Sequence, residues 1–427
     1  MTTPPGGEVT ALGPLFRREA GRLVAAVTRV FGLHNLALAE DVVQDALCQA
    51  LETWKLRGLP ENPSAWLLTA ARNRAIDVLR REKRARGFAP DLSRLLESEW
   101  TLVPTVTELF RDELIADDQL RMMFSCCHPK LGDDARVSVI LSLLCGFGSR
   151  EIAAAFLTGP AATEKRVQRA KRTLAASGHL FEVASAADVR ARLADVLGAV
   201  YLLFNEGYHG GGPGARTVRE ELCAEAIRLA LLLAEHRATR GPETLAFAAL
   251  LHLHAARLPG RMNEAGELAS LEEQDRTKWD RPLIQRGLGL LDASTVGDEL
   301  TAYHIEAAIA AEHATAACLA DTNWTRIAAL YDTLLALSPS PVVALSRAVA
   351  LGQAHGPARG LAELGRLASD PRLARYPFFE AAIGDLQLRS GQREKARAHF
   401  ERAAVLARGP LERRFLLRRA KSCGGPA

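Results

Sequence analysis

Apolar residues recur at spacings of three and four along most of the chain, and this regularity constrains the fold more than any other feature. In "LAEDVVQDALCQALETW" the residues Val43, Leu47, Ala50 and Trp54 fall on one helical stripe. In "LFRREAGRLVAAVTRVF" Phe16, Leu23, Val27 and Val30 lie roughly on one face. Alanine, leucine and arginine dominate, and runs rich in Val, Ile or Thr are scarce, so the expected class is all-α. With 427 residues the chain is long enough for two to four domains.

The same runs limit where such a protein works. "VSVILSLLC" and "VLGAVYLLF" are shorter than the roughly 18 to 20 residues that cross a bilayer. "MTTPPGGEVT" lacks the basic start and apolar run of a signal peptide. Seven cysteines, scattered and odd in number, make no disulfide framework. A cytoplasmic protein with reduced thiols and no membrane contact is expected. The net charge of +4 says little by itself; its distribution says more.

Residues 14–86 read as three helices, the last two separated by the turn-rich "RGLPENPSA". In the third, Arg72, Arg74, Arg80, Arg81, Lys83, Arg84 and Arg86 are opposed only by Asp77 and Glu82. Trp66, Leu67, Ala70, Ala71, Ile76 and Leu79 can anchor the other side. Such a face is either simply solvated or suited to phosphates, with Trp66 and Asn73 placed to meet bases. The preceding loop, with Asn62 and Ser64, offers polar groups to an unpaired base. Residues 87–116 are strongly acidic and read as a linker with little core of its own.

A second helical unit covers residues 117–178. Within it, "SREIAAAFLTGPAATEKRVQRAKRTLAA" reads as a helix-turn-helix, with Ser149 as a cap and Ile152, Ala153 and Phe156 turned inward. Pro160 opens the next helix, which packs through Val167, Ala170 and Leu174 and presents Lys165, Arg166, Gln168, Arg169, Lys171 and Arg172. Many helical hairpins look like this one. Two basic helical units joined by an acidic linker are a more specific pattern than either unit.

Taken in order, "LAEDVVQDALCQALETW", "NPSAWLLTAARNRAIDVLRREKR" and "DDQLRMMFSCCHPKLGDDARVSVILSLLCGFGSREIAAAF" resemble an extracytoplasmic-function (ECF) sigma factor of bacterial RNA polymerase. The downstream "VYLLFNEGY", "LCAEAIRL" and "LEEQDRTKWDRPLI" resemble the ECF subgroup with a long carboxy-terminal extension. The resemblance implies promoter-specific transcription initiation without catalysis or cofactor. Its partners would be core polymerase, through the β′ clamp helices and the β flap, and promoter DNA. Asp41, Gln44, Asp45 and Leu47 match the segment that docks on the clamp helices. Residues 57–65, with Asn62 and Ser64, and the helix with Trp66, Arg72, Asn73, Arg80, Arg81, Lys83 and Arg84 match the reader of the −10 element. Lys165, Arg166, Gln168, Arg169, Lys171 and Arg172 match the reader of the −35 element. Thr163 departs from the family, in which such helices often carry an apolar residue there.

Beyond residue 182 helical patterns continue, as a middle domain (183–298) and an alanine-rich segment (299–420). Tyr331 and Phe400 occupy equivalent places 69 positions apart, about twice the 34-residue tetratricopeptide (TPR) period. Gly384, Ala396, Phe400 and Ala403 have the offsets of two packed helices. A TPR-like array that regulates the sigma activity, by clasping the two sigma domains or receiving another protein, is expected.

Other signals carry less. In "LRMMFSCCHPKL" the pair Cys126 and Cys127 with His128 suggests a metal, but adjacent cysteines should not both turn inward on a helix and no second ligand pair is near. Leu120, Met123, Phe124 and Cys127 are expected to share a buried face. "FNEGYHGGGPG" lacks the lysine and spacing of a phosphate loop. No metal site and no catalytic constellation are expected. Two alternatives are a helix-turn-helix regulator with a TPR effector domain that does not bind core polymerase, and an interaction scaffold with solvated basic faces.

Overall fold

The computed structural model describes residues 6–85, 112–155, 158–177, 186–209, 218–407 and 409–424. The regular elements among the described residues are helices, apart from one isolated bridge between Met262 and Leu268, and the all-α class holds. They divide into two compact units, residues 1–202 and 203–427.

The first unit contains α1 (Gly6–Phe31), α2 (Leu36–Arg57), α3 (Pro63–Ala85), α4 (Asp112–Cys126), α5 (Asp133–Leu143), α6 (Ser149–Ala155) and α7 (Pro160–Ala175), with the first part of α8 (Ala186–His209). Helix α1 is central. It packs against α2 and α3 and also against α4 and α5. Every residue from Leu23 to Thr28 is therefore buried, where the sequence pattern showed one apolar face. Gly21 permits the second packing, because a Cβ there would stand 2.0 Å from the carbonyl oxygen of Leu144, just past α5. Residues 189–202, assigned by sequence to the middle domain, pack in this first unit. Arg192 donates to the carbonyl of Phe124, and Arg136 pairs with Asp195.

Local chemistry sets the helix ends. Helix α2 stops at Gly58, whose φ of +78° suits glycine and whose N–H closes on the Trp54 carbonyl. Asn62 caps α3 by accepting from the Ala65 N–H at 3.0 Å. The loop is thus shorter than the expected 57–65, and Ser64 and Ala65 belong to α3. Ser149 is not the cap of α6; the Glu151 carboxylate instead receives the Gly148 N–H at 3.0 Å. Phe156 and residues 87–111 of the expected linker lie outside the described residues, and residues 112–116 are helical in α4.

The second unit holds the last turns of α8, then α9 (Glu220–Glu235), α10 (Pro242–Ala255), α11 (Arg281–Ala293), α12 (Ala302–Thr315) and α13 (Trp324–Leu337). It continues through α14 (Pro341–His355), α15 (Pro357–Leu367), α16 (Pro377–Arg389), α17 (Arg393–Leu406) and α18 (Pro410–Ser422). Consecutive helices pack as hairpins. At the α16–α17 crossing a Cβ on Gly384 would lie 3.2 Å from the Ala396 carbonyl, and Ala396, Phe400 and Ala403 are buried beside it. At the α14–α15 crossing Gly352 and Gly360 play the same part.

Candidate functional site

Helix α2 turns Val42, Val43 and Ala46 inward and so leaves Asp41, Gln44 and Asp45 exposed, with Leu47 half-buried. The three exposed residues share the wall of a concavity of about 540 Å³ with Arg74 and Arg81 of α3. Asp45 is bound by Arg74 at 2.6 Å, whereas Asp41 has no ion pair among the described residues. Both members of the Asp45–Arg74 pair are at least a third exposed, so it contributes about 0–1 kcal/mol. This face is therefore acidic at its centre and rimmed by cations, and its charges can be exchanged without endangering the fold.

The end of α2, the loop 58–62 and α3 form the second feature. Trp66 stands edge-on to Trp54, with ring centroids 5.5 Å apart, and is half-buried. Ser64 donates to Glu19, a buried carboxylate that also receives Arg18 and Arg22 at 3.0 Å. Asn62 is used as a cap, so two of the polar groups expected to meet a base also hold the loop in place. Asn73, Arg80 and Arg81 are exposed; Arg72 is half-buried, its Nε without a hydrogen-bond partner among the described residues. The side chains of Lys83 and Arg84 lie outside the described residues. The sequence reading missed Leu56 and Leu59, which are 85% and 58% exposed beside this loop. Their signal was two leucines in a turn-rich stretch that no helical stripe claims.

The third feature is α7. Thr163, Val167, Ala170 and Leu174 are buried, so the helix has the register the sequence implied. Thr163 fills its apolar position by bonding its hydroxyl to that of Thr158 at 2.8 Å, and the departure from the family is satisfied locally. Glu164, Lys165, Gln168, Arg169 and Arg172 line an open concavity of about 490 Å³. Arg166 faces Asp134 at 3.8 Å. Lys171 is placed elsewhere: it turns away from the open face and binds Glu40 of α2 at 2.6 Å.

That pair, with two others among the described residues, ties α1 and α2 to the helices after residue 112. Arg17 binds Glu151 at 3.0 Å and covers the Phe147 ring. Arg29 binds Asp118 at 2.9 Å, and the Asp118 side chain is 0% exposed. Asp118 follows the acidic linker at the start of the second helical unit and is an interior charge in the structure.

Cys126 and Cys127 are both buried, contrary to the expectation that one must face out. Cys127 keeps the buried place expected beside Leu120, Met123 and Phe124; Cys126, the last residue of α4, is buried as well because this helix is covered on more than one face, Met122 included. Burial pushes the Cys127 thiol up to about 12 and raises Cys126 as well, so both are held as neutral thiols. Burial, then the nearby Arg192, lowers the pKa of His128. Among the described residues no group of three His, Cys, Asp or Glu is placed to hold a metal ion, and no helix is long and apolar enough to cross a membrane.

Comparison with known proteins agrees with part of this. Residues 15–85 match sigma-70 region 2, and residues 192–295 match a family of unknown function, DUF6596. The chain is 38% identical over 395 residues to an uncharacterized protein of Rhizobium meliloti (strain 1021), covering 92% of this chain and 91% of that one. No solved structure matches.

Proposed function

The chain belongs to one family with the rhizobial protein and is, by its region 2, a sigma factor acting in transcription initiation; from that premise we propose an ECF-type factor with a regulatory carboxy-terminal extension. Asp41, Gln44, Asp45 and Leu47 on α2 dock on core polymerase. The loop 58–62, Trp66 and the exposed cations of α3 take the unpaired −10 strand, with Leu56 and Leu59 as apolar supports for bases. Lys165, Gln168, Arg169 and Arg172 on α7 meet the −35 duplex in its major groove. The observation that carries the reading is the pairing of an open acidic face on α2 with an open basic face on α7.

The two DNA elements would stand about 25 base pairs apart, or about 85 Å at roughly 3.4 Å per base pair. A compact unit of 202 residues has a radius of gyration of only about 17 Å. Engaging both elements therefore requires α4–α7 to part from α1–α3. The ties to be broken are Arg17–Glu151, Arg29–Asp118 and Lys171–Glu40, and breaking the last returns Lys171 to the DNA-reading helix. The extension, with its hairpins α12–α13, α14–α15 and α16–α17, is read as a TPR-like array acting on this equilibrium.

The test is capture of purified chain by bacterial core RNA polymerase, repeated with Asp41→Lys and Asp45→Lys. Binding by the wild type and its loss in the variant, with unchanged thermal stability, is the expected result. Failure of the wild-type chain and of residues 1–202 alike would refute the reading and favour a duplex-binding regulator that acts without polymerase.

A further inference from the structure

The carboxy-terminal end of the helical array carries a charge that the rest of its unit does not. Residues 381–427 contain eleven Lys and Arg against four Asp and Glu, while residues 203–380 contain seventeen against twenty-two. The positive charge of the second unit is thus concentrated in α16–α18. Some of it is consumed locally: Arg419 pairs with Asp385, Arg397 with Glu401, and Arg418 with Glu267 and Glu273. What is left is exposed. Arg389, Arg393, Lys395 and Lys421 are exposed and make no ion pair among the described residues.

The fold gathers these four. One apolar cluster holds Ala396 of α17 with Ala420 and Cys423 at the end of α18, and Leu388 of α16 packs on it. Three of these residues are flanked in sequence by one of the cations: Arg389 follows Leu388, Lys395 precedes Ala396 and Lys421 follows Ala420. Alternating helix directions bring the end of α16, the start of α17 and the end of α18 to the same side of the layer. The electrostatics agree, since Arg419, Arg393 and Arg397 all act on the Cys423 thiol. Ser390, Gly391 and Gln392 lie between Arg389 and Arg393, Glu394 between Arg393 and Lys395, and Ser422 follows Lys421. Small polar spacers suit phosphate oxygens, whereas a protein partner would call for an aromatic or aliphatic anchor at the centre of the patch. Phe378 and Val342, large apolar side chains exposed in these hairpins, lie in the groove between α13, α14 and α16, and the one aliphatic side chain near the patch, Leu417 a turn before Lys421, is 39% exposed.

We propose that Arg389, Arg393, Lys395 and Lys421 form a duplex DNA-backbone docking surface, a third nucleic-acid contact in addition to those of α3 and α7. It rests on the sigma reading only for the presence of DNA as a partner. The surface carries no sequence preference, because it offers charge without base-reading geometry. Its role is to add salt-dependent affinity for DNA flanking the recognised elements.

The test uses the full chain and a fluorescent 40-base-pair duplex of arbitrary sequence, with anisotropy read from 50 to 300 mM KCl. Arg393→Glu, Lys395→Glu and Lys421→Glu are introduced together, with circular dichroism to confirm the fold. Removing three phosphate contacts is expected to lower the log–log salt slope by about 2–3 and weaken binding more than tenfold at low salt. Lys165→Glu with Arg169→Glu on α7 serves as the second variant and leaves the tail's share of the slope in place. A triple variant with the wild-type slope, or a wild-type chain that binds no duplex, overturns the proposal. So does a triple variant that keeps its DNA affinity but loses capture of core polymerase, which would make the patch a protein contact. Core capture by the triple variant at wild-type level keeps a failure here distinct from failure of the sigma reading.

Discussion

Replacing Arg29 by methionine tests whether the first unit is held closed as its contacts imply. The guanidinium lies 2.9 Å from a carboxylate that is 0% exposed, and Arg29 itself is 27% exposed. Methionine keeps the packing length of the side chain and removes this cation from a carboxylate that is fully buried. Removing one member of such a pair costs about 3–5 kcal/mol, and the partial exposure of Arg29 argues for the lower figure. For a unit of 202 residues each kcal/mol moves the melting temperature by about 2–4 °C, so a drop of about 6–12 °C is expected. Circular dichroism melting of the full chain reads this directly, and hydrogen exchange should show the loss concentrated in α1 and α4. Adding Asp118→Leu to Arg29→Met removes the buried carboxylate as well and should recover most of the stability, since an apolar replacement of a whole buried pair is often neutral. A single variant that melts within about 2 °C of wild type would refute the reasoning, because the pair would then be ornamental.

Three further outcomes follow from other positions. Gly21→Ala should raise the helix propensity of α1 by about 1 kcal/mol yet lower the melting temperature, because its Cβ would meet the Leu144 carbonyl at 2.0 Å; a net gain in stability would contradict the packing. Iodoacetamide at pH 8 should label exposed Cys48 and Cys318 in the native protein and spare Cys126, Cys127 and Cys223 until unfolding, as mass spectrometry of peptides would show. His313 is lowered from 6.5 to about 3 by burial and by Arg257 and Arg276, so the unfolded chain binds its proton more readily. The stability this group contributes is complete above pH 6.5 and declines as pH falls towards 3, by up to about 1.4 kcal/mol per unit. Denaturant titrations of wild type and His313→Leu at pH 7 and pH 5 should show the smaller pH effect in the variant.

Much of this was legible in the sequence because helices advertise their buried stripe. Val43, Ala50 and Trp54 of α2, and Val167, Ala170 and Leu174 of α7, are buried as the period of 3.6 requires, and the open faces of both helices follow from them. What was not legible depended on tertiary partners. The unbroken run "LVAAVT" at residues 23–28 is the mark of a helix covered on all sides, but a single amphipathic stripe satisfied the same letters. Asp118 looks like any of the carboxylates that precede it in sequence until Arg29, 89 positions away, is placed beside it. Cys127 is buried with Leu120, Met123 and Phe124 as their spacing implied, but Cys126 was misjudged, because α4 is covered on more than one face and Met122 and Cys126 are buried too.

The placement of Lys171 joins these strands. On a helix with buried positions 163, 167, 170 and 174, residues 165, 168, 169 and 172 share the open arc, and 171 falls on its flank. A cation on the flank can serve either neighbour. In the closed unit it is 16% exposed and bound to Glu40, one residue before the Asp41 that begins the acidic face of α2. Occupation of that face by a polymerase surface would place new charges beside Glu40 and compete for its carboxylate. Weakening the Glu40–Lys171 pair would in turn loosen α7 from α2 and add a sixth polar or basic side chain to Lys165, Arg166, Gln168, Arg169 and Arg172. On the proposed reading, the adjacency of Glu40 and Asp41 would couple core docking to release of α7 through one of the ion pairs that hold it.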